Sequence, residues 1–301
     1  MPINQLTAEG FGMLSGISGA SFTGLLDLYP SAAAAYSVRR LSSTYAGSAM
    51  EVRIDTVGQP LYDIGFDANG DLDTADLISK AAGNDAFVRT WYDQSGNGND
   101  AQNITPSLQP KIVSSGSILT LGTGAKPCIN FNDDYLDTPL QNDFQGFLDV
   151  YKSWNSTKTY NDNQITLGST TSGSIAYQYS GANFLQGGTI ASIDIRDSVH
   201  RITNWYHDGV SIAHINHNGT DYSASIVGYN NNSTNRVWRI GEYAAGSTWN
   251  FIGNMQEFIV YSGNQSANKG GIKSNINSYY SIYSPPSGIG TWAIGTTFII
   301  Q

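Results

Sequence analysis

The stretch HRITNWYHDGVSIAHINHNGTDYSAS, residues 200–225, is built from short runs of Ile, Trp, Tyr and Thr, broken by Asp-Gly and by Asn216-His217-Asn218-Gly219. β-branched and aromatic residues suit a pleated surface, and an Asn-Gly turn returns one strand antiparallel to another. The same alternation of strand and turn continues through PCINFN, NQITLGS, SIAYQYS, RVWRIGEY and GNMQEFIVYS, at the spacing of a sandwich. The expected fold is therefore an all-β sandwich with a few short helices and extended terminal arms.

Upstream, AMEVRI alternates Met50, Val52 and Ile54 with Glu51 and Arg53, the period of a half-buried strand. PSAAAAYSVRRL places Ser31 ahead of an alanine run, which predicts a short helix leading into that strand. Asp73 or Thr74 is expected to cap a helix ending near Gly83. GIKSNINSYYSIY spaces Ile272, Ile276, Tyr279, Tyr280 and Tyr283 as a short terminal helix. The expected division is an arm over residues 1–24, the sandwich over 25–284 and an apolar tail over 285–301. Pro285-Pro286 sets that tail apart, and Trp292, Ile294 and Phe298–Ile300 within it invite contact with another chain.

Charged residues make up 13% of the 301 residues, against 33 Gly and 18 Tyr, and the formal net charge is −9. Binding of nucleic acid needs clustered Lys and Arg, whereas the 15 here are scattered. Cys128 stands alone, so neither an internal disulfide nor a cysteine zinc site is expected. No secretory leader and no apolar run of membrane-spanning length is read, so membrane insertion is not expected.

Three strings, AYSVRRLSSTYAGSAMEVR, DIGFDANGDLDTADL and FVRTWYDQSGNGNDAQ, resemble the catalytic domain of the α-L-arabinofuranosidase B family. They resemble more closely a group of bacteriophage virion and tail-associated proteins that share the module. FIGNMQEFIVYSGNQSANKGGIKSNINSYYSIY is similar to the last strand and closing helix of laminin G-like, concanavalin A-like sandwiches, and together these resemblances imply a two-sheet antiparallel jelly roll. The resemblance to the enzymes implies a retaining mechanism with two carboxylates about 5 Å apart. It also implies a nucleophilic Glu on a strand that follows a vicinal cysteine pair. The matching stretch, residues 164–180, holds neither carboxylate nor cysteine, and only Glu242 stands where the acid/base would fall.

On that ground the expected function is non-catalytic. The resemblance implies a bacteriophage structural protein, a decoration, fibre or tail-associated subunit. It would be located in the virion and partnered by copies of itself and other virion proteins, with host-surface polysaccharide as a further ligand. The alternatives are a retaining hydrolase of the arabinofuranosidase type and a free carbohydrate-binding module.

Asp67, Asn69, Asp71 and Asp73 have the spacing of a calcium loop, but Leu72 and Ile78 stand where such a loop has Gly and Glu. No other cofactor is expected. An Asx-rich turn capping the following helix accounts for the same residues. Tyr92–Asp100, YDQSGNGND, reads either as a sugar-reading loop or as a structural turn around Gly96 and Gly98. His207, His214 and His217 point to no common metal, since 214 and 217 fall on opposite strand faces. The glycan-binding candidates are Tyr177, Tyr179, Trp205, Trp238, Tyr243 and Trp249, because sugar rings stack on aromatic faces; core packing is the competing account.

Overall fold

The computed structural model describes residues 22–141, 148–156, 164–169, 176–179, 182–185, 188–191, 199–207, 212–218, 220–225, 237–242 and 251–284. Helix α1 (Leu25–Leu28) precedes strands β1 (Ala32–Ser37), β2 (Met50–Ile54) and β3 (Leu61–Ile64), followed by helix α2 (Thr74–Ala81). Then come β4 (Ala86–Trp91), β5 (Ala101–Gln102), β6 (Lys111–Ser114), β7 (Ser117–Ile118), β8 (Thr120–Leu121) and β9 (Lys126–Pro127). Next are β10 (Ile129–Asn132), β11 (Leu136–Gln141), β12 (Leu148–Ser156), β13 (Gln164–Ser169), β14 (Ala176–Tyr179), β15 (Ala182–Leu185) and β16 (Gly188–Ala191). The chain continues through β17 (Arg201–His207), β18 (Ile212–His217), β19 (Thr220–Ser225), β20 (Val237–Ile240), β21 (Ile252–Tyr261) and helix α3 (Lys269–Tyr280).

Among the described residues every strand pair is antiparallel, and the main strands sort into two layers of an all-β sandwich. One layer runs β3–β2–β4–β5–β11–β20–β13–β14–β15–β16. The other centres on β21, with β12, β17, β18 and β19 to one side and both β1 and β10 on the other. A bridge between Asn130 and Lys111 joins the layers at one edge. The core lies between them. Tyr36 of β1 meets Trp91 of β4 with ring centroids 5.7 Å apart, and Phe131 meets Phe251 at 5.7 Å.

Local chemistry accounts for the helices. The Asp73 carboxylate accepts from the Asp76 N–H, capping α2; Leu77 and Ala81 turn inward, and left-handed Ala82 and Gly83 end it. In α3, Ile272, Ile276 and Tyr280 recur on the buried face, as their spacing predicts.

The helix expected over the alanine run is not there: Ala32–Ser37 is a strand. Pairing with β21 and near-complete burial between two layers outweigh alanine's helical preference, a difference of only tenths of a kcal/mol per residue. The expected tail over residues 285–301 and nearly all of the expected N-terminal arm lie outside the described residues.

Candidate functional site

Register assembles the site. Asp63 faces Glu51, Glu51 faces Thr90, Thr90 faces Gln102, Gln102 faces Asp137 and Asp137 faces Arg239. Directly opposed residues share a face, so these six polar residues form one transverse row on the outer side of the layer. Their neighbours Met50, Val52, Trp91, Leu136 and Trp238 are buried on the inner side. At roughly 4.8 Å per strand the row from Asp63 to Asp137 spans about 19 Å.

A bulge sharpens the row. Glu51 faces Thr90 while Val52 faces Val88, which leaves Arg89 as the extra residue. Arg89 and Thr90 therefore both reach Glu51: the Arg89 guanidinium donates to Oε2, and the Thr90 hydroxyl lies 3.5 Å from the same oxygen. The Glu51 Oε1 carries no hydrogen bond among the described residues.

Over the row lies a cleft of about 490 Å³ that includes Glu51, Arg89, Tyr92, Asp100, Gln102 and Asp137. Asp100 enters from the YDQSGNGND loop. Its Oδ1 accepts from the Asp93 N–H at 2.9 Å, and its Oδ2 carries no bond among the described residues. Most of the loop is otherwise occupied in holding itself. The buried Asp93 carboxylate accepts from the N–H groups of Ala35, Ser95 and Asn99 and from the Ser95 hydroxyl, and Asn97 and Asn99 tie back to β1. Asp93 thus anchors the loop as a structural turn, while Gly98 and Asp100 line the cleft.

At the far end Arg239 is clamped. It donates to both carboxylate oxygens of Asp137, at 2.6 and 2.9 Å, and to Glu242, and its guanidinium lies 3.6 Å from the centre of the Tyr135 ring. Burial works against its charge, but the two carboxylates outweigh burial and raise its pKa. Gly241 makes the turn possible: its φ is +107°, and a Cβ there would come within 2.4 Å of the Asp134 carbonyl. Glu242 is buried. Tyr92 stands across the cleft. Burial, its hydrogen bond to Asp63 at 2.7 Å and the charges of Asp63, Glu51 and Asp100 together raise its hydroxyl pKa.

The other candidates lie elsewhere. Trp238 is in the core. Tyr177 and Tyr179 are on β14 and Trp205 is on β17, away from the row in sheet order, while Tyr243 and Trp249 lie outside the described residues. Asp67 accepts from the N–H groups of Asn69 and Asp71, Asp73 caps α2, and Asp71 pairs with Lys126 and Tyr279. Among the described residues no group of three or more His, Cys, Asp or Glu is placed to hold a metal. A larger cavity of about 650 Å³ beside α3 is lined by Thr123, several serines, Asn277, Ile282 and Tyr283, with no carboxyl group. Sequence reading passed over Glu51 and Asp137 because strand register brings them onto one face, with the polar alternation of AMEVRI as their only local signal, whereas Asp100 stands in the loop singled out at Tyr92–Asp100.

No protein-family model matches the chain, and no curated protein matches it. Solved structures do. A GH54 α-L-arabinofuranosidase soaked with a cyclic sulfate inhibitor is 17% identical, with a TM-score of 0.61 over 85% of this chain and 65% of that one. An arabinofuranosidase complexed with arabinofuranosyl-α-1,2-xylobiose is 15% identical, with a TM-score of 0.62 over 83% and 63%. A glutamine mutant of a GH54 enzyme soaked with 4-nitrophenyl α-L-arabinofuranoside is 17% identical, with a TM-score of 0.58 over 85% and 65%. The chain thus spans a little under two thirds of these structures. The expectation of a non-catalytic bacteriophage structural protein is corrected here: the likeness over most of the chain is to glycoside hydrolases. That expectation relied on one linear stretch for its missing carboxylate, whereas strands distant in sequence carry the carboxylates of the cleft. At such identities the likeness establishes the fold, and the fold is that of the arabinofuranosidases.

Proposed function

We propose that the chain is a glycoside hydrolase of the arabinofuranosidase type on a concanavalin A-like sandwich, with its sugar seated over the Glu51–Asp137 row. The observation that carries this is one cleft lined by Glu51 and Asp100, each with a carboxylate oxygen free of hydrogen bonds among the described residues. Glycoside hydrolysis needs two carboxyl groups flanking the scissile bond, one to protonate the leaving oxygen and one to attack the sugar or activate water. Glu51 and Asp100 divide those tasks. Arg89 orients Glu51, and the backbone N–H of Asp93 orients Asp100. Asp137, fixed by Arg239 on the same cleft, accepts hydrogen bonds from sugar hydroxyls.

The fold shared with arabinofuranosidases supports the reading. The assay is release of 4-nitrophenol from 4-nitrophenyl α-L-arabinofuranoside. The wild-type chain is expected to turn the substrate over, and Glu51→Gln and Asp100→Asn each to lower kcat by roughly 10²–10⁴-fold without loss of fold. A wild-type chain inert toward arabinofuranosides, or both variants within a few-fold of it, overturns the reading.

A further inference from the structure

Tyr92 bounds the cleft beside Glu51, and β3 is the strand next to β2 beyond it. Tyr92, on the β4 side, extends across β2 to donate its hydroxyl to Asp63 Oδ1 on β3 at 2.7 Å. The hydrogen bond fixes the ring beside Glu51, and Tyr92 lines the cleft while remaining partly exposed. Asp63 is exposed, and its Oδ2 carries no hydrogen bond among the described residues. Because Asp63 faces Glu51 directly, it lies one strand spacing, roughly 4.8 Å, beyond the proposed reacting pair. That offset is close to the length of one sugar residue.

We propose that Tyr92 and Asp63 form a second sugar position, which binds the residue next to the scissile arabinofuranose and selects an uncharged oligosaccharide. The ring offers an apolar face to the C–H side of a sugar, and the free carboxylate oxygen accepts from its hydroxyls. Asp63 stands exposed at this position with one carboxylate oxygen unbonded among the described residues, so a uronate-bearing chain meets like-charge repulsion there and a neutral chain does not. This rests on the hydrolase reading above for the identity of the reacting pair, but not for binding.

The test compares two substrates and adds a binding measurement. Tyr92→Ala and Asp63→Asn are expected to lower kcat/KM for arabinofuranosyl-α-1,2-xylobiose about tenfold more than for 4-nitrophenyl α-L-arabinofuranoside, mostly through KM. Calorimetric titration of the Glu51→Gln protein with the same trisaccharide should show binding that Asp63→Asn weakens by a similar factor. Polygalacturonate should fail to compete. Equal losses on both substrates, no loss on either, or competition by polygalacturonate as strong as by a neutral arabinan overturns the second position. Binding lost with Asp63→Asn in a chain that hydrolyses nothing keeps the second position and removes the hydrolase reading. Hydrolysis with no substrate-dependent loss does the reverse.

Discussion

Two outer faces of the sandwich carry the same chemistry and treat it in opposite ways. On the β21 layer, Glu257 is fully buried beneath α3, where Arg39, Ser37 and Tyr280 all donate to its carboxylate. Tyr279 and Tyr280 lie over the Arg39 guanidinium, which keeps its charge because the carboxylate outweighs burial. On the β2–β11 layer, Glu51 has Arg89 and Thr90 on one oxygen only and opens onto a cleft. A carboxylate–arginine pair closed on all sides holds a helix to a sheet. The same pair with an oxygen left over can take a ligand.

Breaking the closed pair should have the largest effect on stability. Glu257→Ala leaves Arg39 buried and unpaired and is expected to cost about 3–5 kcal/mol. In a domain of this size that is a fall in Tm of roughly 10 °C, read by calorimetry. Glu51→Gln, on the open face, should change Tm by only a degree or two while removing activity. If the two variants melt alike, the contrast between the faces is wrong.

A smaller effect comes from His200, packed near the same buried face. Its Nε2 meets the Ser153 hydroxyl at 2.9 Å, and burial, together with the charge of Arg201, pushes its pKa down to about 4 despite the hydrogen bond with Gln256. The unfolded chain takes up this proton at about pH 6.5 and the folded chain only near 4. Stability is therefore fully present above pH 6.5 and is lost as pH falls between those values, by roughly 1–2 kcal/mol after allowance for partial exposure. Asp134 acts against this, since burial raises its carboxyl to about 6 and favours the folded state at lower pH. The difference between wild type and His200→Gln isolates the histidine. Parallel Tm-versus-pH curves from pH 4 to 7 would refute its role.

The smallest effect expected is that of calcium. Asp67, Asp71 and Asp73 already serve an Asx turn, an ion pair with Lys126 and a helix cap. Melts with calcium and with chelator should coincide within about 3 °C, corresponding to about 1 kcal/mol. A larger shift would make the loop a true cation site.

Much of the fold was legible in the sequence because local signals agreed with the tertiary outcome. Asp73 capped the helix it was expected to cap, and the strands flanking the expected Asn-Gly turn pair His217 with Thr220. The alanine run misled because propensity is a local quantity and pairing with β21 is not. The cleft was harder to read for the same reason. Glu51 and Asp137 look like ordinary surface acids along the chain, and only the ladder from β2 through β4 and β5 to β11 sets them on one face, beneath the Asp100 that the loop supplies.

The long strand β21 has a consequence for how the chain comes to be folded at all. It pairs with β1, β10 and β12, and its contact with β1 joins residues more than two hundred positions apart, Ala32 with Tyr261. During synthesis those three strands emerge long before their common partner does. Their edges stay unpaired until residue 261 has cleared the ribosome, so closure of the sandwich is a late, non-local and slow event. The nascent chain spends that interval as an aggregation-prone intermediate, and its yield in a cell should depend on chaperones and on temperature more than its final stability suggests.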